Sequence, residues 1–190
     1  IYPELAAELP SQENGGVVVD ENAGTMDVTW KLRQDVEWSD GTPVTAEDVI
    51  FTWNAIMDPE KGIWVRGSDY VDSVEKIDEH TVVFHYNSLY TGYLTQLGGE
   101  QLVLWPAHYC DPEQGFSQWD CGREPLSSGP FLLKEWQVGD HMTFEKNPNY
   151  YDAGKPGLEK IVIKIVPDDT VRKEMLLKGD TDLIMWVSET

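Results

Sequence analysis

Trp38-Ser39-Asp40-Gly41-Thr42-Pro43-Val44-Thr45-Ala46-Glu47-Asp48-Val49 joins a strand ending, a tight turn and a capped helix start within a dozen residues. Ser39, Asp40 and Gly41 are turn formers, and Gly41 can take the positive φ that a tight turn needs. Pro43 has no N–H with which to continue a paired strand. Thr45 stands where a helix N-cap belongs, with Glu47 and Asp48 in the first turn, where the helix dipole favours negative charge. Val49, Ile50, Trp53, Ile56 and Met57 then fall on one helical face, and Asp58-Pro59 ends the helix. A turn and a helix cap account for every residue of the stretch.

The elements around it follow from periodicity. Met26, Val28, Trp30 and Leu32 alternate with Asp27, Thr29, Lys31 and Arg33, the period-two pattern of a strand with one buried and one wet face. Val17 to Val19, between turn-rich flanks, predicts a short edge strand. Residues 58–67 read as a loop carrying Trp64 and Arg66. Val71 to Ile77 and Thr81 to Tyr86 predict two strands joined by Asp78-Glu79, and Tyr90 to Leu97 a short helix stopped by Gly98-Gly99. Leu102 to Pro106 is a short apolar run cut off by proline. Beyond the cysteine loop, a stretch rich in Pro, Gly, Ser and Asp marks a crossing between lobes.

The second half is organised differently. Phe131 to Trp136 and His141 to Lys146 predict a hairpin around Val138-Gly139-Asp140, followed by an aromatic turn, Asn147-Pro148-Asn149-Tyr150-Tyr151. Ile161 to Val166 is nearly all apolar, as expected of a strand buried on both faces. Asp168 or Asp169 can cap a helix from Thr170 to Lys178, closed by Gly179, and Leu183 to Val187 predicts a further strand. Strand, helix, strand implies a right-handed crossover between parallel strands. Such strands need neighbours and covering helices, so the chain reads as part of a larger protein.

The charge balance restricts partners. Against 34 Asp and Glu stand 14 Lys and Arg, a formal net charge of −20 over 190 residues. A polyanion would be repelled, so nucleic acid is excluded, and docking on anionic lipid is disfavoured. A hydrophobic content of 41% with eight Trp can supply a core, which argues against wholesale disorder. No apolar run approaches the ~20 residues that span a bilayer.

Cys110 and Cys121 show no zinc-site spacing, so no metal is expected. They form either a disulfide or two free thiols. A disulfide would stabilise the loop by roughly 3 kcal/mol, in an oxidising compartment. His80, His85, His108 and His141 are scattered, and none accompanies a nucleophile motif. No catalytic residue set and no cofactor is expected.

Two groups of motifs together resemble the family 5 extracellular solute-binding proteins, the oligopeptide-, dipeptide- and nickel-binding components of ABC importers. The first is Trp30-Lys31-Leu32-Arg33 followed by Trp38 to Val49. The second is Ser127-Ser128-Gly129-Pro130-Phe131, then Asn147 to Tyr151, then Lys178-Gly179-Asp180-Thr181-Asp182. Pro3-Glu4-Leu5-Ala6 also fits. The resemblance covers nearly the whole chain and implies a mixed α+β fold of the type II periplasmic-binding-protein kind. Within it, residues 1–125 would form the inserted middle domain and 126–190 part of lobe 1, with the remainder of the protein's chain missing.

What the resemblance implies for function is capture of a peptide or another small solute in a cleft between two lobes. Delivery would be to importer membrane subunits on the periplasmic or extracellular side, from a lipid-anchored full-length protein. It places three stretches near the cleft: Trp64 and Arg66 with Tyr70, then Ser128, Gly129 and Phe131, then Met185 and Trp186. Each competes with a structural reading, as core cap, turn or packing under a helix. Two alternatives stay open: a secreted carbohydrate-active enzyme or oligosaccharide binder, for which the tryptophans offer stacking faces, and an interaction module completed at a sheet edge.

Overall fold

A computed structural model describes residues 3–60, 63, 65–96, 103–111 and 120–185. The chain divides into two compact units, Ile1–Ser128 with Asn149–Ala153, and Gly129–Pro148 with Gly154–Thr190.

In the first unit, β1 (Val17–Asp20), β2 (Thr25–Lys31), β3 (Val71–Asp78) and β4 (Thr81–Tyr86) form an antiparallel sheet in the order β1-β2-β4-β3. The β2–β4 register sets Met26 opposite Tyr86, Val28 opposite Phe84 and Trp30 opposite Val82. All six are buried, so one face of the predicted alternation becomes the core. The alternate residues Asp27, Thr29, Val83 and His85 remain only half-buried.

Helix α1 (Ala46–Met57) covers the buried face. Val49, Trp53 and Ile56 join the sheet's core, with the Trp53 ring edge-on to Phe84 at 5.2 Å. Thr45 caps the helix in a capping box: its side chain accepts from the Glu47 N–H, and its own N–H donates to Asp48. Met57, predicted for the apolar face, is instead exposed. It is the last helical residue, beyond the stripe that Val49, Trp53 and Ile56 define.

A second side of α1 is buried as well. The Trp105 N–H donates to Thr52 Oγ1 at 2.9 Å and the Ala107 N–H to Asp48 Oδ1 at 2.8 Å. Ala55 packs with Cys110 and Cys121, which form a disulfide with Cα atoms 5.4 Å apart. The segment from Val103 to Cys110 is thus tied to the helix by hydrogen bonds and apolar contact, and the disulfide links its end to Cys121. Helix α2 (Tyr93–Gln96) is shorter than predicted. The Tyr90 N–H donates to Met26 Sδ and its ring stacks on neighbours, so that residue does not start the helix. The predicted stop at Gly98-Gly99 lies outside the described residues.

In the second unit, β5 (Phe131–Gln137), β6 (His141–Lys146) and β7 (Lys160–Lys164) form an antiparallel sheet in that order. Helix α3 (Asp169–Lys178) is capped by Asp168, which accepts from the Val171 N–H at 2.9 Å, and ends at Gly179 with a φ of 77°. Two expectations fail here. The apolar run at 161–166 is not buried on both faces: Val162, Ile163 and Ile165 are exposed. Its partner is the hairpin strand β6, in antiparallel register, and not a parallel neighbour. No strand follows α3 among the described residues; residues 186 and 187 of the predicted strand lie outside them.

Candidate functional site

The turn that leads into β3 holds the clearest surface feature of the first unit. Val65 is buried, and its carbonyl accepts from the Ser68 N–H, folding 65–70 back on itself. Gly67 sits at the pivot with a φ of 83°, a left-handed conformation suited to glycine. A single turn of 3-10 helix, Ser68–Tyr70, follows. Asn87 fastens it: its N–H donates to the Tyr70 carbonyl at 2.9 Å, and its amide donates to the Asp69 carbonyl and to Asp72 at 3.1 Å each.

Tyr70 is 45% exposed and stacks on Tyr90 with ring centroids 4.8 Å apart. Tyr90 in turn lies 6.0 Å from Tyr86, again nearly parallel. Tyr86 is buried, and its hydroxyl donates to Gln96 Oε1 at 2.6 Å. Burial raises its pKa well above the usual tyrosine range, so it stays neutral. Three tyrosine rings therefore run from core to surface, with one face of Tyr70 closed by the stack. Arg66, in the same turn, is exposed.

Ser128, Gly129 and Phe131 are held differently. Ser128 is the last residue of its stretch of the first unit; Gly129 opens the second. The buried Asn147 side chain donates to the Gly129 carbonyl at 2.8 Å, and the Asn147 N–H donates to the Pro130 carbonyl at 2.9 Å. Phe131, half-buried, starts β5 opposite Lys146. These bonds join the Ser-Gly-Pro-Phe and Asn-Pro-Asn motifs into one structural knot. Met185 is exposed after α3. Trp64 and Trp186 lie outside the described residues. The structure thus brings Arg66 and Tyr70 together in one turn, and joins Gly129 and Phe131 through Asn147.

The stretch from Trp38 to Val49 is occupied with the fold. Trp38 is buried and its indole N–H donates to Asp48 Oδ2 at 3.3 Å. The buried Asp48 carboxylate accepts also from the N–H groups of Thr45 and Ala107, so one side chain ties turn, helix and the 103–110 segment together. Asp40 accepts the Thr42 N–H and faces His108 Nε2 at 2.8 Å; the backbone bond chiefly, and His108 further, lower its pKa. Among the described residues, no group of three or more His, Cys, Asp or Glu is arranged to hold a metal ion. No helix among them is long and apolar enough to cross a membrane.

The family model for bacterial extracellular solute-binding proteins, family 5 Middle, matches residues 1–190. The chain belongs to that family. It is 31% identical over 186 residues to protein XP55 of Streptomyces lividans, covering 96% of this chain and 31% of that protein. It is 31% identical over 156 residues to the oligopeptide-binding protein AppA of Bacillus subtilis, covering 79% of this chain and 28% of that one. A crystal structure of a putative peptide binding protein AppA from Clostridium difficile superposes with a TM-score of 0.74 at 29% identity, over 94% of this chain and 35% of that chain. The chain spans about a third of the length of the curated relatives it matches. The fold is that of the type II periplasmic-binding-protein-like members of family 5, and the matches favour a solute binder over a carbohydrate-active protein.

Sequence reasoning missed Tyr86, Tyr90, Gly67 and Gly92 as parts of the Tyr70 surface. A signal was present: four of the eight tyrosines, Tyr70, Tyr86, Tyr90 and Tyr93, fall within one short span.

Proposed function

We propose that this chain is part of the extracytoplasmic binding component of an ABC importer and that the full-length protein captures peptides or a related small solute. The observation that carries the reading is the 31% identity over 156 residues with an oligopeptide-binding protein. Residues 1–125 act as the family's middle domain and 126–190 as part of its first lobe, with a lipid anchor holding the protein at the membrane. The ligand stabilises a closed arrangement of two lobes, and the membrane subunits recognise that arrangement. The protein binds without catalysing.

On this reading Tyr70 and Arg66 present an aromatic face and a cation to the solute, and Trp64 is a further ligand contact. Ser128, Gly129, Phe131, Met185 and Trp186 complete this chain's share of the contacts. The half-exposed ring of Tyr70 supports the first of these assignments. The hydrogen bond from the Asn147 side chain to the Gly129 carbonyl holds that backbone in place for its share of the contact.

Native mass spectrometry of the full-length protein, purified without added ligand, tests the reading. Bound masses that fragment as peptides are the expected result; a bound oligosaccharide, or turnover of one, contradicts it. The 190-residue chain alone should bind peptides negligibly, and micromolar affinity on it would overturn this assignment of the cleft.

A further inference from the structure

Gly92 has a backbone that any residue could adopt, since it is absent from the positive-φ glycines. What excludes a side chain there is Tyr90. A Cβ on Gly92 would stand 2.6 Å from Cζ and the hydroxyl oxygen of Tyr90, and a Cβ on Gly67 would stand 2.6 Å from the same hydroxyl. Real Cβ atoms do not approach so closely, so the outer end of the Tyr90 ring is gripped between two bare backbones. The Tyr90 backbone is fixed by the N–H bond to Met26 Sδ at 3.2 Å. The ring also packs nearly parallel to Tyr86, which is fastened through Gln96, and to Tyr70, with centroids 6.0 and 4.8 Å away.

Among the described residues, no comparable pair of glycines grips the Tyr70 ring. The Tyr70 backbone is held by Asn87, and its side chain is stacked on the closely confined Tyr90 ring. Offset stacking fixes ring plane as well as position. The outward face of Tyr70 is then a flat surface of set orientation, suited to another flat, apolar group and indifferent to a branched aliphatic one.

We propose that Tyr90, gripped between Gly67 and Gly92, is the positioning residue that sets Tyr70 as a stacking platform for an aromatic side chain of a peptide ligand. The proposal rests on the peptide-binding reading and extends it to a side-chain preference and to the residues that create it. Tyr90 does not touch the ligand; it acts through Tyr70.

Isothermal titration of the full-length protein with two alanine tripeptides, one with a central phenylalanine and one with a central leucine, provides the test. The wild type should prefer the aromatic peptide by about two- to tenfold. Tyr70→Ala and Tyr90→Leu should both bring that ratio close to one, while Tyr90→Phe, which keeps the ring, should retain it. Gly92→Ala, which presses on the ring without removing it, should lower the ratio and serves if Tyr90→Leu does not fold. A merely structural role for Tyr90 would weaken both peptides alike and leave the ratio unchanged, and that result overturns the proposal. So does a wild type that binds both peptides equally. A wild type that binds neither peptide removes the peptide reading itself, and the platform with it.

Discussion

The two units put their apolar residues to different ends. In the first, β2, β4 and α1 bury Val28, Trp30, Trp53, Val82 and Phe84 in one continuous core. In the second, α3 has no buried residue, and Val162, Ile163, Ile165 and Leu177 face outward. Alternation explains the first: a strand with one wet face needs a single covering layer, and α1 supplies it. The continuous run in β7 is written for two covering layers, which this chain does not provide among its described residues. The first unit therefore carries its own cover, while the second leaves much of its apolar surface open among the described residues.

The comparison predicts a gradient of mutational cost. Phe84→Ala should be the most damaging change, lowering the first unit's stability in urea unfolding by about 3–5 kcal/mol, because it empties a fully buried site under Trp53. A cost below ~1 kcal/mol would mean that the core is looser than its burial implies. Asp48→Ala should follow at about 3 kcal/mol, since Trp38 Nε1 and the N–H groups of Thr45 and Ala107 lose their shared acceptor. Its unfolding midpoint measures this; a neutral result would contradict the structural role given to the stretch from Trp38 to Val49.

His85 sharpens the account of the sheet's wet face. Its hydrogen bond to Asp27 across the β2–β4 pair, seconded by Glu75, raises its pKa despite partial burial. Folding then favours the protonated form, so the contribution is complete below the ordinary histidine value and fades as pH rises through the folded one. The stability difference between wild type and His85→Gln should shrink across that window by less than about 1 kcal/mol, as the group is partly exposed and screened. A difference that grows with pH would have the wrong sign. Smallest of all, Val162→Ala in β7 should leave the stability of the isolated chain within about 0.5 kcal/mol; a loss as large as that of Phe84→Ala would erase the contrast between the units.

What could be read from the sequence follows the same division. Strands β1 to β4 and the capped helix α1 were legible because alternation and cap chemistry are local, whereas for Cys110 and Cys121 the sequence left a disulfide and free thiols both open, and the structure decides for the disulfide. Helix α2 was overestimated, since its first residue is taken by contacts with Met26 and Tyr70 that no local pattern reveals. Strand β7 was recognised as a strand but given the wrong partner and the wrong burial. An apolar run has no mark of direction, and pairing with β6 is decided by the hairpin beside it. At the candidate site, Tyr70 was named only through the family resemblance; Tyr90 was not named at all, because its role comes from stacking across a separation of twenty residues and from the space left by two glycines.

Hydrogen exchange on the 190-residue chain, read residue by residue, tests this division most directly. The account predicts that the amides of Val28, Val82 and Phe84 exchange only through global opening of the first unit, while those of β7 and α3 exchange by orders of magnitude faster. Equal protection in β7 and in the β2–β4 pair would contradict it.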